Sequence, residues 1–411
     1  MTNTKTIEPA EPQSKRGFDR TIFAVMLAGA CTFLNVYCTQ PLLPFLQHLY
    51  NASEVEVALT VGAVTLAVAV MAPVIGLLAE SLGRKKVIVP ALFGLTVPTL
   101  LAATSTSLHA LILWRFAQGL FVPGIIAVIM AYINEEFTDR VGTVMAAYIT
   151  GTVFGGFLGR FVAGVIAAHW NWRLTFVVLG IMNLLGAIAV RQWLPKAQNF
   201  VKAEHVFHSL RDAWAHLHNP RLLAIFGMGF TVLFALVGVF TYANFYLAAA
   251  PFHLSPAELG GIFFVYLLGL IVTPLSGKFL DRKGFRNTAM LALAMSLAGL
   301  LLTLVHSLPV VIAGLAFFSS GVFVSQAAAT VQTGRVAGKA RSSAAGLYVT
   351  FYYIGGSIGA TLPAWFWQKG GWPACVGLLS VISLATLVLG IMSAAPSLDA
   401  VEPISMDSFC D

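Results

Sequence analysis

Charge is what this sequence has least of. Among 411 residues only 24 are Lys or Arg and 17 are Asp or Glu, a charged fraction of 10%. A soluble globular domain carries about a quarter, so these residues cannot cover a water-facing surface. Cysteine is scarce as well. Cys31, Cys38, Cys375 and Cys410 show no metal-ligand spacing, and the first two sit seven apart in one apolar run, so they read as reduced structural thiols. No nucleophile, acid pair or ligand cluster of catalytic spacing stands out, which excludes most enzyme chemistry and leaves no metal and no cofactor to expect. All nine histidines and every Asp and Glu fall in tails, loops or the ends of apolar runs. Glu56, Glu135 and Glu136 are the nearest titratable groups to any run's middle, so no acid is plainly placed to carry a proton.

What is present is apolar. The chain is 58% hydrophobic with a mean hydropathy of +0.83, so lipid is its solvent. In lipid each backbone amide must be bonded internally, and runs of about 20 to 25 residues suit helices rather than a barrel. Pro, Gly and charge divide the chain into twelve expected spans, near 21–47, 54–78, 87–105, 109–133, 142–168, 172–193, 222–249, 258–280, 288–306, 309–333, 342–367 and 373–393. The formal net charge of +7 is topological: 20 of the 24 Lys and Arg fall on one side of this layout, only Arg173 and Lys369 on the other, and Arg115 and Arg160 within spans. By the positive-inside rule both termini are cytoplasmic, and no nucleic-acid partner is implied. The polar first 20 residues end in Lys15, Arg16 and Arg20 and precede a run too long for a signal-peptide core, so the first span is expected to stay as an anchor.

The chain also repeats itself. GLLAESLGRKK, from Gly76, returns as GKFLDRKGFRN, from Gly277, 201 positions later: a glycine, a carboxylate at plus four (Glu80, Asp281), a glycine at plus seven (Gly83, Gly284) and clustered cations. Pro73 and Pro274 stand three residues before each copy. Tyr148, Thr150, Gly155, Gly156 and Gly159 recur 200 positions later as Tyr348, Thr350, Gly355, Gly356 and Gly359, and Trp172 as Trp372. Two homologous halves follow, with glycine rows that let helices approach closely. The expected organisation is a tail (1–20), a six-helix bundle (21–194), a linker (195–221), a second six-helix bundle (222–393) and a tail (394–411). In the linker Val206, Leu210, Trp214 and Leu217 recur at helical spacing, which suggests an amphipathic helix on the membrane surface. Its His205, His208, His216 and His218 spread around that helix and read as a solvated face. Gly355, Ser357 and Gly359 spell G-x-S-x-G, but mid-span, where no strand-to-helix turn is available for a nucleophile elbow.

The two loop copies resemble the signature loops of the major facilitator superfamily. The match is close at Gly277, Asp281, Arg282, Gly284 and Arg286; in the first copy Gly76, Gly83 and Arg84 are in place, while Glu80 stands for the usual Asp and Ser81 for a basic residue. Gly151, Gly155, Gly156 and Gly159 resemble the fifth-span glycine motif of exporters, without its proline and with Arg160 in place of a final glycine. Arg115, Gln118 and Gly119 complete R-x-x-Q-G, which resembles the fourth-span motif of proton-linked exporters.

The resemblance implies two pseudo-symmetric bundles rocking about a cavity lined by the first, fourth, seventh and tenth spans, with the loops as latches. Polar side chains there are the binding candidates, because lipid excludes them from an outward face. They are Asn35, Tyr37, Thr39 and Gln40 before Pro41 and Pro44, Arg115 and Gln118, Tyr242, Asn244 and Tyr246, Ser320 and Gln326, and Tyr348, Tyr352 and Tyr353 of the eleventh span. Arg115 is the sharpest, since a guanidinium inside a span costs about 2.5–3.5 kcal/mol on insertion scales. If Gly119 is matched to Gly321, its echo is apolar, Phe317. Carboxylates favour the positive end of a helix, so Glu80 is expected beside Arg341, and Asp281 beside Arg140, across the two halves.

The expected function is a secondary transporter of a small organic solute in the bacterial inner membrane, monomeric, proton-linked and directed outward. An importer or facilitator on the same fold, or a non-transporting sensor, remain alternatives. A weakly charged aromatic cavity with one arginine suits neutral or anionic solutes better than cations.

Overall fold

The computed structural model describes residues 15–137, 140–198, 214–337 and 341–394, without the side chains of 15–17, 77, 80, 341, 342 and 394. Residues 1–14 and 395–411 of the tails, the linker positions 199–213 with Val206, Leu210, His205 and His208, and the side chains of Glu80 and Arg341 therefore lie outside it, while residues 15–20 of the expected tail begin the first helix. No strand occurs among the described residues.

Ten helical stretches are long and apolar enough to cross a membrane. One, Pro256–Leu302, covers 47 residues and turns at Gly284, where φ is 77°, so it makes two crossings. Arg341–Thr361 is a further helix, too rich in Ser, Tyr and Gly to match the others in apolarity, and it packs along the seventh and second spans. Twelve spans result, as expected. Gly83 (φ 92°) mirrors Gly284, and both turns need the left-handed freedom that glycine has.

The first span, Phe18–Tyr50, is broken. A helix, Lys15–Val36, stops short of a 3-10 turn, Gln40–Leu42, and a short helix, Leu43–Tyr50, resumes. Pro41 and Pro44 have no amide hydrogen to continue the ladder. The other spans are Glu54–Leu82, Arg84–Ala102, Leu108–Glu136 with a break before Pro123, Val141–His169, Trp172–Trp193, Pro220–Ala248, the two crossings of 256–302, Leu308–Val336, the eleventh from Arg341, and a twelfth that follows a bend at Gly370 and Gly371.

Packing repeats with the sequence. The fifth span lies on the first and the eleventh on the seventh. A Cβ added at Gly155 would sit 2.2 Å from the Ala30 carbonyl oxygen, and one at Gly355 would sit 2.0 Å from that of Phe230. Gly159 meets Leu34 and Gly359 meets Phe234 in the same way. Each pair is the other shifted by 200 positions. Backbones this close leave room only for glycine.

The two halves touch through the second and eleventh spans and through the fifth and eighth. Contact is tight at the end remote from the signature loops: a Cβ on Gly164 would meet the Pro256 carbonyl oxygen at 2.2 Å, and the Ser357 hydroxyl donates to the Gly62 carbonyl at 3.0 Å. That bond gives the G-x-S-x-G serine a packing role. At the loop end Gly76, Gly142, Gly277 and Gly346 have nothing within 4 Å of where a Cβ would be. The tight backbone contacts between the halves thus lie at the end remote from the signature loops.

Candidate functional site

Two arginines are buried in the first half, and they meet different fates. Arg115 is fully buried beside the break in the first span. Because the Gln40 amide turns back to Tyr37, the Val36 carbonyl loses its helical donor. Arg115 supplies the replacement: its Nη2 donates to Val36, its Nη1 to the Asn35 carbonyl at 2.7 Å, and its Nε to the Thr60 carbonyl at 2.9 Å. Nη1 also reaches Gln118 Oε1 and lies 3.5 Å from Cys38 Sγ. The negative end of a helix offsets its charge.

Gln118 then donates to Thr99 at 3.1 Å, and Thr99 to Asn35 Oδ1 at 3.2 Å. Asn35 Nδ2 lies 3.4 Å from Asn183 Oδ1, and Asn183 donates to Thr96 and the Leu92 carbonyl. Arg115, Gln118 and Asn35 are thus brought together, but inside one bundle, tying its first, second, third, fourth and sixth spans. Their geometry is that of a scaffold. Phe317, the expected counterpart of Arg115, is 50% exposed; the fully buried Leu315, 200 positions on, matches its environment.

Arg160 lies where the halves meet. Its Nε donates to Gln40 Oε1 at 2.7 Å and its Nη1 to the Gly156 carbonyl at 2.6 Å. The Gln40 amide continues to Thr241 Oγ1 on the seventh span at 3.3 Å, so the chain crosses between halves. The rings of Tyr37, Phe263 and Tyr266 stand 4.7, 4.5 and 4.8 Å from its Cζ. On the eleventh span Tyr348, Tyr352 and Tyr353 pack ring to ring.

The other candidates divide. Tyr242 donates to the carbonyls of Ala360 (3.0 Å) and Thr361 (3.4 Å), where the eleventh span nears Pro363, which is a structural tie. Asn244 donates to its own helix at Phe240, and its Oδ1 is buried without a partner. The Tyr348 hydroxyl is likewise buried without a bond of ordinary geometry, Thr330 being its neighbour. Gln326 is half-buried and its side chain bonds to no described residue. Phe263, Tyr266 and Thr241 escaped the sequence reading: the eighth-span aromatics have no repeat partner, though Gln40 and Thr241 share the 201-residue spacing of the loops.

At the loop end Arg84 grips Glu135 with a fork, its Nε at 3.2 and 3.0 Å from the two carboxylate oxygens. Asp281 is not beside Arg140. It lies 3.9 Å from Arg335, with both side chains more than half exposed, while Arg140 stacks on Phe18 at 4.8 Å. Asp281 is thus paired within its own half, and the expected cross-half pair is not formed. Arg282 and Arg286 are exposed. No group of three or more His, Cys, Asp or Glu side chains among the described residues could hold a metal.

A family model described as Major Facilitator Superfamily matches residues 25–250 and 245–403. The sequence is 31% identical to the inner membrane transport protein YnfM of Escherichia coli strain K12, over 95% of this chain and 94% of that one. It is 30% identical to the uncharacterized MFS-type transporter YybF of Bacillus subtilis strain 168, over 90% and 93%. Among solved structures, the nucleoside transporter NupG superposes with a TM-score of 0.75 at 14% identity, over 91% of this chain and all 100% of that one. The human organic anion transporter MFSD10 gives 0.70 at 19% identity, over 90% and 99%. At such identities the structural likeness is one of fold.

Proposed function

The chain belongs to the major facilitator superfamily, a multi-pass secondary transporter and not an enzyme, and on that premise we propose that it exports a small organic solute by alternating access in exchange for protons. The observation that carries the reading is where the halves meet most tightly: at the end remote from the signature loops, with the Arg160 and tyrosine cluster at the seam. The excess of Lys and Arg at the loop end supports a cytoplasmic position for that end and for both termini, in a protein read as a monomer of the bacterial inner membrane. Solute enters from the loop end, and closure there, with opening at the far end, releases it outside.

Closure would bring Asp281 from Arg335 to Arg140, and Glu80 to Arg341, so the acidic loop residues act as the latch. Cysteine-accessibility labelling of loop-end positions tests this: Asp281→Asn increases labelling, and unchanged labelling refutes the latch.

A second reading, facilitated diffusion, is favoured by one fact. Every described Asp and Glu lies at a span end or in a loop. Proteoliposome flux across a solute panel, with and without a pH gradient, decides: acceleration by the gradient supports antiport, equal rates support a facilitator, and no flux of any solute overturns transport through this cleft.

A further inference from the structure

Of the two buried arginines, the fold consumes only one. Arg115 uses all three nitrogens on carbonyls and Gln118. Arg160, only 2% exposed, uses Nε and Nη1, while its Nη2 has no hydrogen-bond partner among the described residues. No described Asp or Glu pairs with it. Three aromatic faces offset a guanidinium's charge, but rings accept no strong hydrogen bond in the guanidinium plane. A buried cation with a free edge is an expensive arrangement unless something completes it.

Position says what completes it. Arg160 stands where the tightly packed end begins: its own carbonyl oxygen would meet a Cβ on Gly260 at 2.9 Å, whereas Gly142, at the start of the same helix, is open. The surroundings are apolar and aromatic. The Phe157 and Phe264 rings meet tilted at 4.4 Å, Phe264 is 54% exposed, and Tyr37 and Tyr266 are buried beside the guanidinium.

Resting on the transport reading above, we propose that Arg160 anchors a monoanionic organic acid with an aromatic or other flat apolar body. The carboxylate takes the free Nη edge, and the body lies among the rings. One guanidinium with no second described cation in contact neutralises one charge, so a carboxylate fits and a phosphate dianion would keep an unpaired charge. An organic cation would meet like charge in a low-dielectric site. A neutral isostere would leave the guanidinium as it is now.

The test titrates the purified full-length protein with benzoate, benzamide, benzylammonium and acetate, read by calorimetry and thermal shift. Benzoate is expected to bind about 10- to 100-fold more tightly than the other three, the span of a charge-assisted hydrogen bond plus ring burial. Arg160→Gln removes that preference. Should that variant not purify as a single species, Arg160→Lys, which keeps the charge and loses the fork, weakens benzoate selectively. Benzamide binding as tightly as benzoate, benzoate binding unchanged in both variants, or no carboxylate binding at all overturns the assignment. Flux of a neutral or cationic solute through a protein that ignores benzoate sinks the anion site and leaves the transport reading standing. Benzoate bound without flux of any solute does the reverse.

Discussion

The two halves share a backbone and differ in what they bury. Where the first half has Asn35, Arg115, Gln118, Arg160 and Asn183, the second has Ala235, Leu315, Phe318, Ala360 and Ser383, each 200 positions on. The glycine contacts survived duplication because they are backbone against backbone, and any side chain there would force helices apart. The polar positions diverged because one bundle needs only enough hydrogen bonds to close its own gaps. In the first half amides and a guanidinium fill the space between helices. In the second, Met228, Ser296, Ser325, Ser383 and Thr386 line a small cavity, and the helices are tied by separate bonds such as Thr386–Thr231 at 2.9 Å and Trp372–Thr303 at 3.0 Å. Even the loop ends invert: a loop cation meets a span acid in Arg84–Glu135, and a loop acid meets a span cation in Asp281–Arg335.

The contrast breaks most visibly at Arg115. Arg115→Leu leaves the Val36 carbonyl without a donor and removes the bonds to the Asn35 and Thr60 carbonyls and to Gln118, so unfolding followed by intrinsic fluorescence in detergent is expected to show a loss of roughly 3 kcal/mol or more. Arg160→Gln, at the seam, should stay within about 1 kcal/mol on the same measurement, since it gives up two hydrogen bonds and relieves an unpaired buried charge.

Next come the glycines, which test the symmetry itself. Gly155→Ala and Gly355→Ala each drive a methyl into a carbonyl, with an expected cost of about 1–3 kcal/mol. The two values should agree within about 0.5 kcal/mol, and a large disparity in melting temperature would show that the halves are not mechanically equivalent.

Smaller still is the polar-core difference. Asn183→Ala removes bonds to Thr96 and Leu92 and should cost about 1–2 kcal/mol, whereas Ser383→Ala, which loses only a bond to its own helix, should fall within about 0.5 kcal/mol. The smallest effect belongs to Asp281→Asn, whose exposed 3.9 Å pair contributes about 0–1 kcal/mol and less at high salt. Glu135→Gln, which breaks the Arg84 fork, should exceed it in a salt-dependent melt.

Much of the architecture could be read in advance. The loop copies, the glycine rows and Trp172 with Trp372 marked the duplication, and both tryptophans are buried as matched residues should be. Pro41 and Pro44 stood within an expected unbroken first span, 21–47, and they mark where the structure breaks it. What they did not announce was the partner. Arg115 read as the sharpest binding candidate because a charge inside a span needs a reason, and the reason proved to be freed carbonyls some 80 residues earlier in the chain. Arg160 read only as a departure from the fifth-span glycine motif, while its surroundings, Phe263 and Tyr266, come from a helix about 100 residues away.

Residue order alone therefore determined that this chain is a duplicated bundle of membrane helices, because lipid leaves the backbone no other way to satisfy its amides and because glycine spacing is local. Only the tertiary structure decided which buried cation is spent on the scaffold and which keeps a free edge between the halves. That depends on where a distant helix ends its hydrogen-bond ladder, and no local pattern carries it.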